Sequence, residues 1–189
     1  MMAEENSEPE TDDDGLVIQR HLSSVLVVLP SEGVGDQILR YARSSLHAVN
    51  VGTKTIAPSS IITGRLQDEF TVDGELDQAS LDAFSGILVA GCEGEHPLVQ
   101  DEDTLRLVRH AAGEGKLVAA WGNGVSVLAK AGVLKGLKVT GEGAQAAVRE
   151  AGAKFTGRQI EVAGKSTVTA LDESAGMRFG QALASAVGI

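Results

Sequence analysis

Aliphatic residues fall in short, uninterrupted runs along this chain, and amphipathic stretches separate the runs. Val25 to Leu29, Ile87 to Ala90 and Leu117 to Trp121 are apolar at every position, the pattern of strands covered on both faces rather than solvated on one. After the first run comes a loop, Pro30 to Gly35. Asp36 is placed to cap a helix in which Ile38, Leu39, Ala42 and Leu46 recur at helical spacing through about His47. Thr104 to Gly113 gathers Leu105, Leu107, Val108 and Ala111 on one side before Gly115 ends it, and Val125 to Ala131 reads as another helix.

Val49 to Ala57 predicts a further strand, Ile61 to Val72 a hairpin or short edge strands broken at Gly64, and Leu76, Leu81 and Phe84 a short helix. Towards the C-terminus the pattern gives a helix near Ala144 to Glu150, strands near Gln159 to Val162 and Thr167 to Ala170, and a last helix from about Ser174 to Val187. No internal repeat is present. Strands alternating with helices predict an α/β domain with a mainly parallel central sheet and helices on both faces.

Composition adds limits. With 189 residues, 43% hydrophobic and 22% charged, the chain fits one domain able to bury about 70% of its unfolded surface. The net charge of −10 is concentrated at one end: residues 1–14 hold seven acids and no base, leaving 19 acids against 16 bases, or −3, for the rest. Residues 1–21 therefore read as an acidic, solvated, disordered tail and 22–189 as the domain. One Trp, one Tyr and no basic cluster interleaved with aromatics argue against a nucleic-acid partner. No apolar run approaches the roughly 20 residues of a membrane span. The acidic N-terminus lacks the basic, then apolar, layout of a secretory leader, and the lone Cys92 cannot form an intrachain disulfide. A cytoplasmic protein is the expectation.

In open parallel sheets, ligands sit beyond the carboxyl ends of the strands. The loops after Leu29, Ala90 and Trp121 are thus the candidate site. The third is the most informative: Ala119-Ala120-Trp121-Gly122-Asn123-Gly124-Val125 has the strand, tight turn and helix of a nucleophile elbow.

Here the chain resembles the ThiJ/PfpI (DJ-one) superfamily of the class I glutamine-amidotransferase-like fold. The resemblance rests on Val25 to Leu29, the elbow, the stretch Leu128 to Gly141 with Ala131-Gly132-Val133-Leu134-Lys135-Gly136 and Thr140-Gly141, and the ending Thr167 to Leu183. It implies a flavodoxin-like three-layer sandwich and assembly as a homo-oligomer, commonly a dimer. In active members a Cys stands at the elbow tip; Gly122 occupies that position here, followed by Asn123 and the matching Gly124. Val34 aligns with the family Glu that helps hold the Cys as a thiolate, and Glu142 falls near the position where some members carry a His. A looser similarity links the chain to the C-terminal domain of large-subunit catalases, which also lacks the nucleophile. A Cys held at a left-handed turn stores about 1–3 kcal/mol of strain, whereas Gly adopts those angles freely. The exchange keeps the turn and deletes the thiolate.

The expected function is accordingly non-catalytic: binding of a small anionic or carbonyl ligand, or assembly with itself or a partner, with a stress or chaperone role as one form. The expected binding set is Trp121, Gly122, Asn123, Gly124, Val125, Cys92 and Glu32. The amides of Asn123, Gly124 and Val125 would offer the positive end of a helix, Asn123 a side-chain amide and Trp121 a flat wall. The alternative is a hydrolase, lyase or glyoxalase-like enzyme using Cys92 or a bound water.

Other features carry less. Cys92 alone reads as a small hydrophobe, and Ser126 as a first-turn helix residue without a base. Glu93, Glu95 and His96 read as a solvated loop rather than a metal site, and His21, His47 and His110 as surface or boundary residues. Gly33-Val34-Gly35 follows a strand, but Ile38 stands where a dinucleotide fingerprint needs its third glycine. No cofactor and no metal are expected.

Overall fold

A computed structural model describes residues 23–67 and 69–187; the acidic-tail reading of 1–21 lies outside them. The apolar runs become β1 (Ser23–Val28), β7 (Gly86–Val89) and β8 (Leu117–Trp121), adjacent and parallel, with Leu26 beside Ile87 and Ile87 beside Val118. They lie at the centre of a seven-stranded sheet ordered β11-β12-β8-β7-β1-β3-β6. Its other members are β3 (Val51–Ala57), β6 (Gly74–Glu75), β11 (Ile160–Ala163) and β12 (Thr167–Ala170), and only β11 runs antiparallel.

Alternate residues of the central strands feed opposite cores, as a two-residue period requires. Leu26, Val28, Ile87, Val89, Val118 and Ala120 pack with α2 (Glu102–Gly113), α3 (Gly124–Ala131) and α4 (Gln145–Glu150). Val25, Val27, Leu88, Ala119 and Trp121 pack with α1 (Asp36–Ala48) and α5 (Gly176–Val187). The result is the expected three-layer α/β sandwich.

Several local expectations are corrected. The loop from Pro30 to Gly35 contains β2 (Glu32–Val34), which joins β4 (Ile61–Gly64) and β5 (Glu69–Thr71) in a small sheet. Arg65 N–H donates to the Val34 carbonyl at 3.0 Å, which ties the segment to β4 across a bulge at Gly33, where φ is +71°. Gly35 then caps α1 and Asp36 is its first residue, making no side-chain cap bond. Val49 is the C-cap of α1, so β3 starts two residues later than expected. The helix expected around Leu76 to Phe84 is a single 3-10 turn, Leu76–Gln78. Beyond it the Ser80 hydroxyl bonds the Asp82 carboxylate at 2.8 Å and accepts from Asp82 N–H at 3.3 Å, a local alternative that competes with helix. A short parallel pair, β9 (Lys138–Val139) and β10 (Lys154–Phe155), had no sequence signal. A 3-10 turn, Glu173–Ala175, precedes α5. Among the described residues, no helix is long and apolar enough to cross a membrane.

Candidate functional site

At the carboxyl end of β8 the chain turns sharply. Gly122 N–H donates to the Ala170 carbonyl of β12 at 3.1 Å, and the Gly122 carbonyl accepts from Val125 N–H at 3.3 Å. Gly122 has φ +56°, and a Cβ built there meets nothing within 4 Å. The turn thus has the left-handed backbone of an elbow tip and an open side where a side chain would stand. Two residues on, Gly124 allows α3 to seat against β7: a Cβ there would lie 2.8 Å from the Val89 carbonyl oxygen and 2.9 Å from that of Ala90.

The open side of Gly122 faces a cleft of about 820 Å³. Its walls are the loop after β7 (91–96), the elbow with Trp121, Asn123 and Ser126, the segment Asp172 to Ser174 after β12, and Gly33, Arg65, Val99, Glu142 and Gly143. The cleft therefore lies at the carboxyl ends of the parallel strands, as strand polarity predicts.

Of the expected binding set, Gly122, Asn123, Cys92 and Trp121 line this cleft. Asn123, expected to present its amide to a ligand, spends that amide on the neighbouring loop. Its Oδ1 accepts from Cys92 N–H at 2.9 Å and its Nδ2 donates to the Gly94 carbonyl at 2.8 Å, with Cys92 Sγ at 3.8 Å. Trp121 is only 2% exposed, and its ring meets Phe179 edge-on at 6.0 Å, so it offers no flat wall. Val125 is fully buried with its amide already bonded, Gly124 is packed against β7, and the exposed Glu32 lies outside the lining. These three leave the candidate set.

Cys92 is part-buried. Burial pushes its thiol above the ordinary range; the Asn123 amide opposes this and the charge of Glu93 adds to it. Val34 is fully buried and forms an antiparallel bridge with Cys92, so an apolar side chain packs beside the thiol's backbone. His96 corrects the solvated-loop reading. It is 5% exposed, with Nε2 donating to the Ala90 carbonyl at 2.7 Å and Nδ1 accepting from Leu98 N–H at 3.2 Å. Burial lowers its pKa, partly offset by the Ala90 bond. With both nitrogens committed, the imidazole braces the loop and is no base for Cys92 or Ser126.

The sequence missed Arg65 and the segment Asp172 to Ser174. Half-exposed Arg65 pairs with Glu93 at 2.8 Å and Glu173 at 3.3 Å, and those carboxylates, Glu173 first, raise its pKa. Asp172 Oδ1 accepts from Ser174 N–H at 2.8 Å and fixes the turn before α5. The available signal was a fourth loop after a strand, the one following Ala170. Glu93, Glu95, Glu142, Asp172 and Glu173 face Arg65 as the lining's lone permanent cation, so the cleft is net acidic. Among the described residues, no group of three or more His, Cys, Asp or Glu is arranged to hold a metal ion.

The chain matches the DJ-1/PfpI family over residues 23–186. DJ-1 protein homolog F of Arabidopsis thaliana is 32% identical over 128 residues, covering 67% of this chain and 32% of that protein. This chain thus spans about a third of that relative's length. A ThiJ/PfpI domain protein from Brachyspira murdochii superposes with a TM-score of 0.81 at 22% identity, over 87% of this chain and 95% of the other. DJ-1beta of Drosophila melanogaster gives 0.78 at 19%, over 88% and 91%. These two structures bear on the fold. The family match over nearly all of the described residues, with the Arabidopsis relative beside it, leads to one affiliation: the chain belongs to the DJ-1/PfpI family.

Proposed function

We propose that this family member works without elbow-cysteine chemistry, as a binding protein for a small molecule in the cleft above Gly122. The observation that carries the reading is the elbow tip itself: left-handed, open, and without a side chain. Two further features support it. The cleft's lone cysteine has its thiolate disfavoured by burial, and its lone imidazole has both nitrogens engaged. The acidic lining repels carboxylates and phosphates, so the guest is a neutral carbonyl compound or an amine. Self-association as a dimer and a cytoplasmic setting belong to the same reading; the first rests on the family resemblance and the second on a single cysteine that forms no intrachain disulfide. The competing reading, an enzyme built on Cys92, draws on the presence of that thiol in the same cleft.

Thermal-shift and calorimetric screening with small ketones, amides, amines, carboxylates and phosphates tests the proposal, with Ser126→Phe as a variant that fills the cleft from the exposed side of α3. Neutral carbonyl compounds or amines should stabilise the wild type and lose that effect in the variant. Stabilisation by anions alone, or by no compound, would overturn it.

A further inference from the structure

We infer that the acidic N-terminal segment of this chain, residues 1–14, docks on a basic face at the opposite end of its own sheet from the cleft. A second depression, of about 570 Å³, lies at the amino ends of β1 and β3, with Ser24, Arg43, His47, Thr53 and Lys54 in its lining. Arg43 and His47 lie on the exposed side of α1, and Arg40, one turn earlier, extends that side as a basic stripe at positions i, i+3 and i+7. Lys54 projects from the adjoining strand and is exposed.

Among the described residues, Asp73 is the carboxylate on which Lys54 and Arg43 act. Asp73 accepts from Thr55 N–H at 2.7 Å and from the Thr55 hydroxyl at 2.9 Å. Burial works to raise its pKa, but the Thr55 bonds, with Lys54 and Arg43 nearby, hold it below the usual carboxylate range. Among the described residues, that acid stands against the permanent cations Arg40, Arg43 and Lys54, which leaves the face positive.

The occupant follows from where the chain goes. Residues 1–14 carry Glu4, Glu5, Glu8, Glu10, Asp12, Asp13 and Asp14 without a base. The segment joins the body at Ser23, next to a residue of the depression itself. The eight residues 15–22 span at most about 26–29 Å, so the acids are tethered within reach at an effective concentration on the order of millimolar. Each exposed pair contributes little and is screened by salt. The docking is therefore multivalent and salt-sensitive, rather than the fully solvated tail expected from composition.

The test uses the full chain, isotope-labelled, with a nitroxide on Ser7→Cys in a Cys92→Ala background. At about 20 mM salt, the amides of Ala48, Gly52, Thr53 and Lys54 should lose more than roughly half their intensity, and should recover at about 0.5 M salt. Recovery should also follow Arg43→Glu combined with Lys54→Glu, with unchanged shifts elsewhere showing that the fold persists. Broadening absent at these amides, or indifferent to both salt and charge reversal, would overturn the inference. So would broadening that survives only between a labelled and an unlabelled chain, which would assign the face to a second copy.

Discussion

Gly122 and Gly124 stand two residues apart in the same turn, yet the structure assigns them different constraints, and alanine substitution separates the two. At Gly122 the added methyl meets open space, so the cost is the left-handed backbone alone, about 1–2 kcal/mol for an L-residue. The loss of freedom in the unfolded chain offsets about 0.4–1 kcal/mol of that, leaving a net destabilisation of about 1 kcal/mol. At Gly124 the methyl would press on two backbone oxygens, 2.8 and 2.9 Å away at the end of β7. Ala90 there is tied to β1 by its bond to the Val28 carbonyl at 3.0 Å, so the strand end cannot give way cheaply. Overpacking of this kind costs about 1–3 kcal/mol, and rigid backbone places it at the upper end. With about 2–4 °C of Tm per kcal/mol in a domain of this size, Gly122→Ala should lower Tm by about 3 °C and Gly124→Ala by about 6–10 °C. Thermal and urea denaturation followed by circular dichroism read both. Gly122→Asn should cost less than Gly122→Val, because Asn tolerates the left-handed region and a β-branched residue does not. A Gly122→Ala cost equal to that of Gly124→Ala, or Asn no better than Val, would refute the open elbow.

Iodoacetamide should alkylate Cys92 slowly at neutral pH, with the midpoint of its pH–rate profile above the ordinary thiol value of about 8.5; a midpoint below that value contradicts the burial argument. His96 gives a stability signature with a definite sign. Its folded pKa lies below the unfolded value, so its contribution is complete above about 6.5 and is lost as pH falls from there through the folded pKa. Tm of the wild type should fall between about pH 7 and 5.5 more steeply than that of His96→Asn, and parallel curves would remove His96 as the cause.

The central strands were legible because Val25 to Leu29, Ile87 to Ala90 and Leu117 to Trp121 are apolar at every position and too short for a buried helix, the pattern of a doubly covered sheet. Strand polarity then pointed to the end of the sheet where the cleft lies. What sequence could not supply was set by tertiary contacts. Residues 32–34 form a strand because β4 reaches them, and the two-residue β9 and β10 are too short to carry a period. Arg65 comes to the cleft from the turn after β4, held by Glu93 and Glu173 from two other segments. Asn123 looked like a ligand contact because its position was read correctly and its partners were not: loop 91–96 folds back onto it. His96 was assigned to solvent because a loop of glutamates and glycines surrounds it in sequence, whereas the Ala90 carbonyl and Leu98 amide bury it.

The central claim is that Gly122 leaves the cleft without a working nucleophile, and the most direct measurement is turnover of a small reactive dicarbonyl by the purified protein beside its Cys92→Ala variant. The account predicts the same background rate for both. Robust turnover by the wild type that disappears in Cys92→Ala would contradict it and establish Cys92 as the catalytic thiol.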